Sequence, residues 1–502
     1  MNSRIFDSQS HARFAQLSRD YNPIHFDPLV ARRTQVGAPI VHGIHSLLWL
    51  LEECVIQGRG ALPRAMNLRV RFKNPIYIGD AASLEITRRA PQSLHARVCV
   101  EGTETVAASI GFGDRQIADL PDVRAESNPG PLTSPSSVPR ELTIEQTNGL
   151  SGCLPFAESV EQVPLMFPFA AGYLGAPQVA ALVSSSCLVG MIVPGLHSLF
   201  AALDVSFARD AGPPDALGFA VTWVEPRFRR VRIGIRGGGV EGTLETMVRP
   251  PPVRQATMEV AAALVGGHEF RGSTALIVGG SRGLGELTAK LVAAGGGRVV
   301  ITHANGRSDA EAVASEITKA GGQCETMPYD ALRAAAEQLG SLGGKIPTHV
   351  YYFATPPIAL RKASPFDLRR FNDFNSFYIS GFLDLVRACI QLRPQGVKVF
   401  YPSTVFIEAR PEDTTEYTMA KAAAEVLCAD IEKRLPGARI LVRRLPRLLT
   451  DQTSAILNSA ALDPVQVLLP IIREMHADSR YSGGPGRGRE SACMQPSRTS
   501  TQ

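Results

Sequence analysis

Apolar and polar positions change their period along this chain, and the changes mark its organisation. Over "IVHGIHSLLWLLEECV" the apolar residues recur at helical spacing and predict an amphipathic helix. Alternating runs follow: "MNLRVRFKNPIYIGD", "SLEITRR", "HARVCVEG" and "TVAASIGF". They predict short antiparallel strands, half buried. "DLPDVRAESNPGPLTSPSSVPREL" is rich in Pro, Ser and Gly and predicts a linker. From about residue 272, "STALIVGGSRGLGELTAKLVAAGG" starts an alternation of strands with helices, the pattern of a parallel α/β sheet. The expected segments are 1–115 for the first domain, 116–150 for the linker, 151–255 for a second domain, 268–482 for the α/β domain and 483–502 for a disordered polar tail.

The middle region looks like a diverged copy of the first. "VGAPIVHGIHSLL" from Val36 returns as "VGMIVPGLHSLF" from Val189, and "VEGTETV" from Val100 returns as "VEGTLETMV" from Val240. Two matches in the same order imply an internal duplication. The second copy should place Gly-His-Ser on a helix before its strands. It lacks an acid equivalent to Asp20, and His42 is matched by Pro194. The first copy is therefore the one expected to carry chemistry, and His197 is expected to be a packing residue.

Composition narrows the class without deciding it. At 502 residues, several domains are expected. A 44% apolar content suffices for sizeable cores, and a net charge of +5 with no Lys/Arg block gives no case for nucleic acid. The eight cysteines are scattered without a CxxC pair, so neither a metal site nor a disulfide framework is expected. The polar N-terminus shows no signal core, and the richest apolar run is interrupted by serines, Gly190 and Pro194. A cytoplasmic location with no membrane partner is the expectation.

"LSRDYNPIHFD" places Asp20 and His25 around the stiff Asn22-Pro23 turn. A carboxylate and an imidazole on one turn can hold a water and move its protons. A lone Asp or His would be an ordinary turn residue, but the wider pattern is specific. Together with "GAPIVHGIHSL" and "RFKNPIYIGD", this stretch resembles the MaoC-like, (R)-specific enoyl-CoA hydratases over most of the first 115 residues. The resemblance implies a double hot dog of α+β type with one active half. Asp20 and His25 would be the catalytic pair, acting on the 2,3-bond of an acyl thioester. Asn22, His42 and Gly43 would lie at the substrate, with backbone N–H groups at the helix start facing the thioester oxygen. The family has Gly before the catalytic acid where this chain has Arg19. Arg19 could pair with Asp20 or point outward to a phosphate.

"VGGSRGLG" follows an apolar strand and opens a helix. Gly279, Gly283 and Gly285, with Ser281, Arg282 and Leu284 between them, form a loop suited to a pyrophosphate. Tyr417 and Lys421 in "EYTMAK" fall on one helical face, where a tyrosine can pass a proton to a carbonyl oxygen. These features resemble a short-chain dehydrogenase/reductase with a Rossmann-type doubly wound parallel sheet. By that resemblance Tyr417 is the acid/base, Lys421 its partner, and Ser403 or Thr404 the hydroxyl donor, with Ser403 favoured. Asp330 would touch the adenine, and Ala354 is what remains of the family's Asn-Asn-Ala-Gly. The relay Asn is replaced by Tyr378 and the Pro-Gly after the sixth strand by Pro446-Arg447. No carboxylate stands immediately after the second strand, near His303. Arg282, assisted by Arg307, would attract a 2′-phosphate, so NADP(H) is the expected cofactor.

A ketoreductase and an (R)-type dehydratase perform consecutive steps on 3-oxoacyl groups carried by CoA or acyl-carrier protein. The implied enzyme is bifunctional and works in fatty-acid or polyketide-type biosynthesis. The alternatives are a β-oxidation pair using NAD and a scaffold that has lost turnover. Both folds usually self-associate, so a homodimer is expected.

Overall fold

The computed structural model describes residues 2–58, 62–113, 136–208, 216–358, 366–451, 453 and 461–477. The expected tail at 483–502, and the linker up to residue 135, lie outside the described residues.

The N-terminal half is one ten-stranded antiparallel sheet. Its strands are β1 (Ser3–Ile5), β2 (Ala65–Phe72), β3 (Ala81–Ala90), β4 (Ser93–Val100), β5 (Thr103–Phe112), β6 (Ser151–Pro155), β7 (Ser198–Phe207), β8 (Ala216–Glu225), β9 (Arg230–Gly237) and β10 (Val240–Val248). The order β1-β3-β4-β5-β2-β7-β10-β9-β8-β6 is symmetric about the β2–β7 pair, the signature of a duplicated unit. At that seam Leu68 faces Val205 and Val70 faces Leu203, all buried, while Arg69 pairs with Asp204 at 3.0 Å on the exposed face.

Each half wraps one helix. The first, Gly43–Gln57, is buried without a break from Ile44 to Leu51 and turns polar only at Glu52 and Glu53. The expected amphipathic stripe is thus replaced by burial all round, because the sheet curls around the helix. Leu47, Leu48 and Leu50 are fully buried, each contributing about 1.5–3 kcal/mol. The second helix, Ala176–Cys187, continues into a π-helical turn, Leu188–Ile192.

The duplication is real in topology, but the sequence repeats do not mark it. Gly195, Leu196 and His197 follow the second helix, and Ser198 begins β7, so the expected Gly-His-Ser helix is absent from that half. The equivalent hairpin turns are Glu101-Gly102 and Gly238-Gly239, each with two left-handed residues. Val100 ends β4 whereas Val240 begins β10, so the "VEGT" match is also out of structural register. His197 bonds Glu141 at 3.1 Å. Residues 136–150 are not free linker either. Ile144 and Thr147 are buried, and Arg140 pairs its backbone with Met191 and Leu196.

The C-terminal half is a six-stranded parallel sheet: β11 (Thr274–Val278), β12 (Arg298–His303), β13 (Gln323–Pro328), β14 (His349–Tyr352), β15 (Val397–Thr404) and β16 (Ala438–Leu445). The order β13-β12-β11-β14-β15-β16 reverses at β11/β14, which opens a crevice at the strand ends. Helices cover both faces, which is why the strands read as unbroken apolar runs. Met258 and Ala261, on the helix Met258–Leu264, already pack in this core.

Candidate active sites

In the N-terminal half, the helix Ser8–Ser18 ends at Arg19 in the left-handed region (φ 57°). The chain then enters Asp20 and a short 3₁₀ turn, Pro23–His25, capped by the Asn22 side chain, which accepts from Ile24 N–H. Only 2% of Asp20 is exposed. One carboxylate oxygen accepts from Ser186 Oγ at 2.7 Å, the other from Asn22 N–H at 3.2 Å. Burial pushes this acid up to about 7, against the pull of those two donors. A Cβ on Gly190 would stand 2.3–2.6 Å from the carboxylate, so the glycine is what lets Asp20 sit there.

His25 donates from Nδ1 to the Ile40 carbonyl at 2.8 Å, which leaves Nε2 as the ring's lone pair. Burial, with His11 nearby, holds this imidazole down to about 3. His42 caps the central helix, but its imidazole turns back. Nε2 donates to the Asp20 carbonyl at 3.0 Å and lies 3.7 Å from the carboxylate, while the ring stacks on His25 at 3.8 Å. His42 therefore touches both expected partners. No side chain caps the helix that Gly43 begins.

Two expectations are corrected here. Asn22 has no amide proton left for a substrate, because Nδ2 donates to the Gly190 and Gly195 carbonyls. It ties the Asp20–His25 turn to the second half instead. Arg19 does not pair with Asp20; its guanidinium points outward and is bonded to Glu158. Its left-handed φ explains why glycine suits that position. Sequence reasoning missed His11, whose buried ring packs 4.6 Å from His42, and missed Ser186 and Gly190. The polar "SSS" inside an apolar helix was the available signal for Ser186.

In the C-terminal half a cleft of about 820 Å³ lies at the crevice between β11 and β14. The glycine loop forms one wall. Gly279 (φ 82°) and Gly283 (φ 59°) take backbone conformations that side chains disfavour. A Cβ on Gly285 would lie 2.2 Å from the Gly279 carbonyl. The helix Gly283–Ala294 has no side-chain cap, so its first N–H groups are available to a pyrophosphate. Ser281, Arg282 and Leu284 line this wall, while His303, Asp330 and Ala354 line the rest of the nucleotide side. The residues fit a nicotinamide dinucleotide: an uncapped helix end, a glycine-rich loop, and no acid directly after β12. Arg307 does not line the cleft; it is exposed and bonded to Glu311 at 2.7 Å.

At the other end of the cleft stand Tyr417 and Lys421, on the helix Thr415–Arg434. Thr404 neighbours Tyr417 and opposes the upward shift of its phenol, whereas Ser403 Oγ donates to Glu425. Both hydroxyls line the cleft, and the favoured Ser403 is already engaged by Glu425. Burial raises Tyr417 to about 12 and lowers Lys421 to about 7. Lys421 Nζ donates to the Pro402 carbonyl at 2.7 Å and lies over the rings of Tyr378 (3.9 Å) and Tyr401 (4.6 Å). The Tyr378 hydroxyl bonds Thr355. Among the described residues no single helix is long and apolar enough to cross a membrane. The helices Pro168–Leu174 and Ala176–Ile192 pass only as a pair bent by 116°.

The MaoC like domain family matches residues 2–109, and the short chain dehydrogenase family matches residues 273–445. An (R)-specific enoyl-CoA hydratase of Aeromonas caviae is 37% identical over 86 residues, which is 17% of this chain and 63% of that protein. A peroxisomal multifunctional enzyme type 2 of Mus musculus is 27% identical over 128 residues, 25% of this chain and 17% of that one. The chain thus spans less than two thirds of each of these two relatives. A solved 3-oxoacyl (acyl-carrier-protein) reductase from Agrobacterium tumefaciens C58 with NADP bound is 19% identical, covering 36% of this chain and 73% of that one at a TM-score of 0.33. The chain joins a MaoC-like, hydratase-type domain to a short-chain dehydrogenase/reductase domain.

Proposed function

We propose that the two halves act in sequence on one acyl thioester, on CoA or an acyl-carrier protein. The C-terminal half reduces a 3-oxoacyl group with NADPH, and the N-terminal half interconverts the (R)-3-hydroxyacyl and trans-2-enoyl forms. The observation that carries this reading is the buried cluster at the N-terminal site, where His42 lies 3.7 Å from the Asp20 carboxylate and stacks on His25 at 3.8 Å. At neutral pH His25 is a free base, while Asp20 holds its proton up to about 7. In dehydration, His25 Nε2 takes the proton from the α-carbon, and Asp20 gives its proton to the departing hydroxyl, which leaves as water. Returning the proton from His25 to Asp20 closes the cycle, with His42 in contact with both. Hydration runs the same steps backwards. By the family resemblance, the thioester oxygen would lie at the helix start by Gly43.

In the reductase half the bound cofactor supplies hydride. Gly279, Gly283 and Gly285 would hold its pyrophosphate and Asp330 its adenine end, with Arg282 favouring NADPH. Tyr417, raised to about 12, keeps its proton at neutral pH and can deliver it to the carbonyl oxygen, while Thr404 orients that oxygen. Lys421 serves mainly to fix the end of β15 through Pro402.

Mass spectrometry of products from 3-oxoacyl thioesters and NADPH tests the whole reading. The expected products are the (R)-3-hydroxyacyl and the enoyl thioester. Tyr417→Phe is expected to keep cofactor binding and to lose reduction by about a hundredfold or more. Reduction at the wild-type rate in that variant would remove Tyr417 from the mechanism. A scaffold without turnover is the second reading, favoured by the 2% exposure of Asp20 and by Tyr378 in the relay position. It predicts neither product.

A further inference from the structure

The nucleotide side of the cleft is not built by the reductase half alone. The helix Pro28–Ala31 follows directly on the turn that holds His25, and it delivers Arg32 to the wall of the cleft, beside Arg282. The Arg32 guanidinium is 19% exposed and is bonded to Asp309, and its carbonyl accepts from Arg282 Nη1 at 2.8 Å. A side chain on Gly306 would collide with it, since a Cβ there would fall 2.3 Å from one Arg32 nitrogen. Gly306 closes the loop after β12, the place where an open α/β sheet meets the adenosine ribose. The Arg32 guanidinium thus lies directly over the glycine that ends this loop.

The local charge balance points the same way. Arg33 Nη2 bonds the second oxygen of Asp309 at 2.8 Å, and Arg282 has Asp451 at 3.4 Å. Three guanidinium groups thus face two carboxylates. The loop His303–Gly306 contributes no acid. Arg282 has already spent one nitrogen on the Arg32 carbonyl and on Asp451, so a dianion held by Arg282 alone would be poorly matched. A second guanidinium, at the glycine that ends this loop, completes the cradle.

We propose that Arg32, supplied by the hydratase half, is a ligand of the cofactor's 2′-phosphate, so that NADPH is recognised jointly by both halves. This rests on reading the C-terminal half as an NADPH-binding reductase. The proposal also links cofactor occupancy to the segment that carries Asp20 and His25, because Arg32 lies seven residues from His25 on the same turn–helix unit.

The test is calorimetric titration of the full chain with NADPH and NADH, and with 2′,5′-ADP against 5′-AMP to isolate the phosphate. Arg32→Ala should weaken NADPH and 2′,5′-ADP by about ten- to a hundredfold, the range for a charge-assisted hydrogen bond, and leave NADH and 5′-AMP within about twofold. Asp309→Asn separates phosphate binding from domain docking. It breaks the same ion pair but frees the guanidinium, so it should leave NADPH binding unchanged or tighter. Equal losses of NADPH and NADH in Arg32→Ala, or an Asp309→Asn variant as weak as Arg32→Ala, would overturn the proposal in favour of a docking role. Wild-type protein that binds NADPH tightly, together with an Arg32→Ala that does so equally well, would overturn it and leave the reductase reading intact. Wild-type protein that binds neither nucleotide would sink both.

Discussion

In the first half of the ten-stranded sheet, the buried helix is preceded by a turn that carries Asp20 and His25. In the second half it is preceded by two further helices, Ala157–Met166 and Pro168–Leu174, and the buried helix itself holds no acid. Yet the second helix is not idle. Ser186 donates to the Asp20 carboxylate, and the π-helical turn Leu188–Ile192 brings Gly190 against it. The Gly190 and Gly195 carbonyls take both amide protons of Asn22. The comparison teaches that one copy carries the Asp20–His25 turn while the other holds it in place. A π-turn is a common device for such a role, because the extra residue re-aims a short stretch of helix.

The largest expected effect separates reacting group from holder. Asp20→Asn should lower hydration of crotonyl-CoA by about a hundredfold or more, since an acid–base partner is lost. His197→Gln, in the second half, should change turnover little. Comparable losses in the two variants, read by steady-state rates at unchanged melting temperature, would erase the distinction between the halves.

Gly190→Ala probes the holder directly. The new Cβ must displace the Asp20 carboxylate, so a ten- to hundredfold drop in hydration is expected, about the effect of a 1 Å misplacement. Overpacking should also cost about 1–3 kcal/mol in stability. Wild-type rates would show that the carboxylate is not held where the chemistry needs it.

Ser186→Ala sharpens the same contact through pH. Asp20 titrates at about 7 in the fold against 3.8 unfolded. Its contribution to stability is therefore fully present below about pH 4 and is lost as pH rises through 7, because only the unfolded chain has released the proton in that window. The serine hydroxyl favours the ionised form, so removing it raises the folded value further. The destabilisation by Ser186→Ala, about 1 kcal/mol for one hydrogen bond, should be larger above pH 7 than at pH 5. Melting curves at the two pH values measure it. A difference of the opposite sign would mean that the hydroxyl serves the neutral acid.

These residues also show what the sequence could and could not convey. Asp20, Asn22 and His25 are contiguous, as are Gly279, Gly283 and Gly285, and local spacing is enough to read them. Ser186 and Gly190 reach Asp20 across more than 160 residues, and Arg32 reaches the reductase cleft across some 250. No periodicity encodes those meetings. The Ser403–Thr404 choice is hard to read for a different reason: two adjacent hydroxyls end one strand, and only the fold shows that Ser403 is turned to Glu425. The duplication was inferred from matches that the fold places out of register. The strand order, with β2 and β7 at its centre, is what establishes it.

The smallest expected effect concerns the residue that leads into the reacting turn. Arg19 adopts φ 57°, where a side chain is crowded against the following carbonyl and glycine is not. Its ion pair with Glu158 joins a partly exposed group to an exposed one, so it contributes at most about 1 kcal/mol. Arg19→Gly relieves the crowding, worth roughly 1–2 kcal/mol, but loosens the unfolded chain and gives up the pair. A net gain of about 0.5 kcal/mol or less should remain. It should show as a slightly higher melting temperature with unchanged hydration, because the guanidinium does not touch Asp20. A clear loss of stability would mean that the contact with Glu158, which bridges the reacting turn to the second half, outweighs the backbone strain.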